Sequence, residues 1–334
     1  MNLWAPWLQR IYEQASAALD AGRLPHGLLF AGPEDLGKRA LAEKLAMRAL
    51  CLARGPGEEA CGTCRSCRLY QSRSQRDPTE TRPDGTLAHP DGYPGHPDAH
   101  FIGYAWRDKP TPKMRTEIVI DQIRAMSATL ALTPQYGENQ VAIIEPADAI
   151  NTNAYNALLK TLEEPLPGRY IWLVSARPTR LPATVRSRLQ VLEFRLPPRR
   201  EAMDWLRGQG HDEARAAQAL DAARGHPGLA HGWLRDDRLT LREQVAMDLD
   251  RLGRDAGSAA SIARRWSGDE PALRLRFAAE IAAEHAGTDA GQARLRRLTA
   301  WFEQANRTRE WMRGPIRGDL AILDLLMAWP GDAA

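Results

Sequence analysis

The sequence predicts an α/β protein in three parts: a parallel-sheet domain over residues 1–195, a small helical domain over 196–238, and an all-α domain over 239–334. Three observations predict it. Short apolar runs alternate with helical patterns up to about residue 195, as strands buried on both faces of a parallel sheet require. The pair Pro197-Pro198 cannot continue a strand or a helix interior and marks a boundary. Beyond it, short helices broken by Gly208, Gly210, Gly225, Pro227 and Gly228 give way after Asp237 to a long helical stretch rich in Ala, Arg and Leu.

In chain order, Leu28, Leu29 and Phe30 form the first buried strand, and a helix covers 40–50. Residues 73–113, rich in Pro, Gly and Asp, are expected to be a long mobile excursion, and the sequence does not reveal what it does. The second strand is 141–144 and the third 170–174. Between them lies a helix over 153–164, with Ala154, Ala157, Leu158 and Leu162 at helical spacing facing the sheet. The final segment follows Gly314-Pro315. Its apolar set Leu320, Ile322, Leu323, Leu325, Leu326 and Trp329 covers too much of a helix for one solvent-facing element.

With 334 residues, 43% hydrophobic and 26% charged, the composition fits a soluble globular protein with several cores. No run of eighteen apolar residues occurs. The start of the chain carries Trp4, Pro6 and Trp7 rather than a secretory layout, so a cytoplasmic protein is expected. A net charge of +3 neither demands nor forbids DNA contact. A zinc-dependent protein gripping nucleic acid alone would need a concentrated basic face, which this balance of charges speaks against.

All four cysteines fall close together: Cys51, Cys61, Cys64 and Cys67. The two Cys-x-x-Cys steps can converge three thiolates on one ion, and Cys51 can supply the fourth, for tetrahedral zinc at roughly 2.3 Å. Four protein ligands leave no position open for water, so such a site is structural. Arg54, Arg65 and Arg68 lie near enough in sequence to ease its negative charge. Two disulfides or ordinary buried thiols are the alternatives; the expected compartment argues against the first and the clustering against the second.

A phosphate loop is also present, in damaged form. After the first strand comes Gly32-Pro33-Glu34-Asp35-Leu36-Gly37-Lys38-Arg39, followed by a helix. Gly32, Gly37 and Lys38 are the candidate nucleotide-binding residues. The last position should carry a hydroxyl for magnesium, and Arg39 cannot supply one. The acidic pair expected at the end of the second strand is Glu145-Pro146, and proline cannot act as a base. Loss of these parts predicts no ATP hydrolysis, because phosphoryl transfer depends on positioning and charge neutralisation. Weak ATP binding through Lys38 and the following helix N-terminus stays open.

Together these residues resemble the clamp-loader branch of the AAA+ superfamily. Asn156-Ala157-Leu158-Leu159-Lys160-Thr161-Leu162-Glu163-Glu164-Pro165 is similar to that branch's hallmark helix. Leu181-Pro182-Ala183-Thr184-Val185-Arg186-Ser187-Arg188 is similar to its Ser-Arg-Cys loop, with Leu189 in place of the Cys. Pro25-His26-Gly27-Leu28-Leu29-Phe30 resembles the strand ahead of its phosphate loop, and the four-cysteine insert is a further feature of bacterial members. The likeness covers about residues 1–230, and the tail more loosely.

The resemblance implies an AAA+-type P-loop domain with a zinc module at 51–67, a lid domain and a C-terminal collar. The damaged motifs, with Gly228 where motor subunits carry an arginine, resemble the non-hydrolysing stator of a replicative clamp loader. Such a subunit sits in a hetero-oligomeric ring with gamma/tau-type motor subunits and a delta-type subunit. Primed DNA and the sliding clamp are met through the assembly, at the nucleoid-associated replisome. Carried over, Arg188 is the candidate arginine finger offered in trans to a neighbour's ATP, with Ser187 and Thr184 shaping its loop and Arg186 as competitor. The alternative implied by the same family is a catalytically active motor ATPase.

Overall fold

The computed structural model describes residues 4–55, 57–80, 87, 89–107, 113–287, 291–312 and 317–331. The chain divides into two compact units, Met1–His231 and Gly232–Ala334.

The first unit is built on a five-stranded parallel sheet: β1 (Gly27–Ala31), β2 (Ala99–Ile102), β3 (Gln140–Ile144), β4 (Arg169–Ser175) and β5 (Gln190–Glu193). Its strand order is β2-β3-β4-β1-β5, and every pairing is parallel. All residues of β1 and β3 are buried, as expected when both faces of a parallel sheet are covered. Alternate side chains feed two cores. Leu28, Phe30, Trp172 and Val174 pack with Trp7, Leu8, Leu41 and Leu45 from α1 (Pro6–Asp20) and α2 (Lys38–Leu50). Leu29, Ala142, Ile144, Ile171 and Leu173 meet residues of α4 (Ile120–Leu130) and α5 (Thr152–Glu163) on the other face. Between α2 and β2 lies the short helix α3 (Arg65–Gln71).

Helix α5 follows its sequence closely. Asn151 Oδ1 accepts the Ala154 N–H at 3.0 Å as an N-cap, Ala154, Leu158 and Leu162 bury one face, and Pro165 follows its end. This topology is a parallel α/β arrangement, as expected, but with two more strands than the apolar runs had suggested.

The excursion expected over 73–113 needs correction. Ala99–Ile102 forms β2, in register with β3 from Ala99↔Val141 to Ile102↔Ile144. Its four residues are too few to give a periodic signal, and the strand exists because β3 supplies a buried edge to pair with. Around it Tyr93, His96, Asp98 and Glu80 are buried. Residues 81–86, 88 and 108–112 of that segment lie outside the described residues.

After β5 the first unit continues into short helices. Helix α6 (Ala183–Arg186) precedes β5, and α7 (Arg199–Gly208), α8 (Glu213–Ala222) and the start of α9 (Pro227–Arg235) follow it. The second unit is helical: α10 (Arg238–Arg254), α11 (Ala259–Gly268), α12 (Pro271–Gly287), α13 (Gln292–Trp311) and α14 (Gly318–Met327). Trp266 and Trp301 fill its core, their indole N–H groups donating to Asp248 and to the Leu325 carbonyl, each at 2.8 Å. Of the terminal apolar set, Ile322, Leu325 and Leu326 are core, whereas Leu320 is 52% exposed. Among the described residues, no helix is long and apolar enough to cross a membrane.

Candidate functional site

The phosphate-type loop, residues 32–38, joins β1 to α2 where the sequence placed it. Gly32 has φ +149°, and a Cβ there would lie 2.2 Å from the Phe194 carbonyl oxygen, so only glycine fits. Gly37 rests on Leu8 of α1, and Leu36 is buried, with the Trp7 indole N–H donating to its carbonyl at 3.3 Å. Lys38 turns inward on the loop itself. Its ammonium donates to the Gly32 carbonyl at 2.8 Å and also to the Pro33 carbonyl. Burial holds the Lys38 pKa below its ordinary value, with nearby Glu145 opposing the shift.

The loop is covered from the lid side as well. A Cβ on Gly228, at the start of α9, would come 1.7 Å from the Asp35 carbonyl oxygen. The arginine that motor subunits would carry here has no room while that contact stands. His226, whose Nδ1 accepts the Leu229 N–H at 3.2 Å, is desolvated in the same corner, and burial lowers its pKa.

Arg39 occupies the hydroxyl position. Its Nε donates to Glu43 Oε1 at 2.7 Å and one terminal nitrogen donates to Glu145 Oε2 at 3.0 Å. That nitrogen also meets His89 Nε2 at 3.2 Å, and the guanidinium lies 5.1 Å from the Tyr93 ring and 5.3 Å from that of Phe101. Burial raises the Glu145 pKa above its ordinary value, with Arg39 opposing the shift. For Arg39, burial disfavours the charge, but Glu145 and Glu43 outweigh it and raise the pKa. The acid expected to hold magnesium is thus bound to an internal cation. Sequence reasoning missed Glu43, His89 and Asp148, the last of which accepts from Ser175 Oγ at 2.8 Å and Arg177 Nε at 3.1 Å. Glu43 lies one helical turn after Arg39, an i,i+4 signal that was available; His89 and Ser175 reach the site only through the fold.

The Ser-Arg loop presents a different environment. The Thr184 carbonyl accepts from Ser187 Oγ at 3.1 Å and from Arg188 at 2.7 Å. Arg188 also pairs with Glu163, the last residue of α5, at 2.5 Å, with side-chain exposures of 37% and 47%. An ion pair this exposed is worth about 0–1 kcal/mol, so it holds the guanidinium lightly. Arg186 is exposed too, and among the described residues its side chain makes no hydrogen bond or ion pair. Leu189, in place of the family's Cys, is buried.

The four cysteines converge as their spacing predicted. The sulfur atoms of Cys51, Cys61, Cys64 and Cys67 all lie within 4.8 Å of one another. A tetrahedral tetrathiolate zinc site at roughly 2.3 Å separates its sulfurs by about 3.8 Å, and Cys61 and Cys67 already stand 3.9 Å apart. Backbone N–H groups point at sulfur, Cys61 N toward Cys51 at 3.4 Å, Cys64 N toward Cys61 at 3.3 Å and Cys67 N toward Cys64 at 3.4 Å. They favour thiolates, and the donor set fits zinc. Ser66, at the start of α3, donates to the Leu50 carbonyl at 2.6 Å and receives the His96 Nε2–H at 2.8 Å, which ties the module to the edge of the sheet. Of the nearby arginines, Arg54 is engaged with Asp20 at 2.5 Å and Arg65 lies over the Tyr136 ring, so charge relief from these two is shared with other partners.

The family described as "DNA polymerase III, delta subunit" matches residues 7–198. The chain is 31% identical over 264 residues to DNA polymerase III subunit delta' of Pseudomonas aeruginosa, covering 78% of this chain and 71% of that protein. It is also 31% identical to the Haemophilus influenzae subunit delta', over 67% of this chain and 60% of that protein. A Mycobacterium bovis DNA polymerase III subunit gamma/tau is 31% identical over 55% of this chain, but over only 27% of its own length.

Proposed function

Since the chain belongs to the DNA polymerase III delta-prime subunit family, we propose that it serves as the non-hydrolysing stator of a replicative clamp loader. In this reading it hydrolyses no ATP and supports ATP-dependent loading of the sliding clamp by the assembled ring. Its organisation is a P-loop-like domain (1–195), a lid (196–238) and a helical collar (239–334), with the collar contributing to assembly through part of the Leu320 face. Partners are gamma/tau-type motor subunits and a delta-type subunit; DNA and clamp are met within the complex.

The observation that carries this reading is the Arg39–Glu145 contact at 3.0 Å. A magnesium ion needs its carboxylate and a hydroxyl free, and here a tethered cation holds the first and replaces the second. Lys38, engaged with its own loop carbonyls, and Gly228, seated on Asp35, support the same conclusion. The similarity to a gamma/tau subunit resides in the shared fold and leaves these substitutions unexplained, so it favours no motor reading.

The outward-facing role falls to Arg188. A cation set against the transferring phosphoryl group stabilises charge that grows in the transition state, worth about 10³- to 10⁵-fold at the site it serves. The cysteine cluster holds structural zinc. Reconstitution with motor and delta-type subunits tests the whole proposal. Ring assembly and DNA-stimulated ATP consumption should both fall when this chain is left out; full activity without it would contradict the proposal.

A further inference from the structure

We infer that Gly27 and Leu189 form a size-matched pair that positions Arg188. Gly27 is the buried first residue of β1, and Leu189 lies between Arg188 and the start of β5. The two strands pair in parallel from Leu28↔Gln190, so one residue earlier Gly27 lies beside Leu189. A Cβ on Gly27 would lie 2.9 Å from Leu189 Cδ2, 3.2 Å from the Arg188 carbonyl oxygen and 3.4 Å from Leu162 Cδ2. The φ of Gly27 is outside the left-handed region, so this close approach alone accounts for the glycine. Carbon atoms pack at about 3.5–4.0 Å. An alanine at 27 therefore has to push Leu189 aside, and in a close-packed interior the strain passes to the neighbouring Arg188 backbone.

The same corner is fixed from a second side. His26 Nε2 meets the Leu162 carbonyl at 2.9 Å, and because a carbonyl only accepts, that nitrogen carries the ring proton. The bond satisfies one of the carbonyls that the end of α5 leaves open. The His26 carbonyl in turn accepts the Ile171 N–H of β4 at 2.7 Å. The entry of β1 is thus tied to α5 and β4, and Arg188 pairs with Glu163 at the same end of α5. Leu189 stands where the family's loop carries the smaller Cys, and the larger side chain is matched by the smallest residue on the facing strand. A group that acts by its placement against a phosphoryl group is sensitive to shifts of this kind.

The inference rests on the proposed role of Arg188 in trans, and the test separates the two. It uses the reconstituted complex, with DNA-stimulated ATP turnover as readout and co-elution as the check on ring assembly. Gly27→Ala should keep assembly and the KM for ATP but lower kcat, the site served by Arg188 losing about tenfold. Gly27→Ala/Leu189→Cys should regain most of that loss. Beside Arg188→Ala, Gly27→Ala should cost nothing further, as for residues acting through one group. A Gly27→Ala complex that assembles and turns over like wild type overturns the inference. So does a swap that restores nothing, or a loss that persists beside Arg188→Ala. Should Gly27→Ala not fold, Leu189→Ala, which only removes bulk, decides: a kcat loss confined to chains with Arg188 supports the inference, and any other result overturns it. Arg188→Ala without effect sinks the finger role and the positioning together. A loss with Arg188→Ala and none with Gly27→Ala sinks the positioning alone.

Discussion

Two arginines, Arg39 and Arg188, sit in the two segments that most resemble nucleotide-handling motifs, and their surroundings differ in every respect. Arg39 is 19% exposed, paired with two partly buried carboxylates and flanked by aromatic rings. Arg188 is 37% exposed and paired with one surface carboxylate. Around Arg39 the two ends of the loop are packed by Trp7 and Leu8 from α1 and Phe194 after β5, with Gly228 of α9 against Asp35, while Pro33, Glu34 and Asp35 themselves stay exposed. Around Arg188, among the described residues, the Thr184 carbonyl and Glu163 are its side-chain partners. The inner cation is enclosed with its carboxylates, and the outer loop keeps a charge open to solvent.

That contrast can be broken or sharpened by substitution. The largest effect is expected for Arg188→Ala in the reconstituted complex. The single site it serves should lose on the order of 10³-fold or more in rate, and total DNA-dependent ATP turnover should fall in part, because other motor sites keep their own fingers. Unchanged turnover would remove Arg188 from its proposed role and bring Arg186 forward. Next is Gly228→Ala, whose new methyl must displace the Asp35 carbonyl; denaturant unfolding of the lone chain should show a loss of about 3 kcal/mol.

A smaller effect is expected from acid. Burial lowers the His226 pKa, so the folded state resists a proton that the unfolded chain accepts near the ordinary value of 6.5. Stability from this group is fully present above that value and is lost as pH falls below it. His96, His100 and His211 are shifted the same way, chiefly by burial. Melting temperature should therefore drop between pH 7.5 and 5.5, and His226→Asn, which keeps a capping acceptor before α9, should lessen the slope. The smallest effect is that of Arg188→Ala on the isolated chain: a change within about 0.5 kcal/mol in unfolding free energy, as for an exposed pair.

What could be read in the sequence was whatever is local. The loop glycines, Lys38, the cysteine spacing and the α5 pattern each depend on neighbours a few residues apart, and each appears in the fold at its expected place. The strand Ala99–Ile102 was hidden because its four residues are strand only by virtue of β3 beside them. The meaning of Arg39 was half legible. Its inability to hold magnesium follows from its chemistry, whereas its contacts with Glu145 and His89 span 106 and 50 residues and follow only from the packed sheet. Gly228 was visible as a missing arginine; the close approach to Asp35 that leaves no space for one was not.

The central claim is that the chain's own cleft no longer processes ATP while its outward arginine acts elsewhere. Steady-state ATP turnover by the purified chain alone, with magnesium present, tests it most directly. The expected result is no turnover above the protein-free blank, whether or not primed DNA is added. Sustained hydrolysis that co-elutes with the chain and is abolished by Lys38→Ala would contradict it.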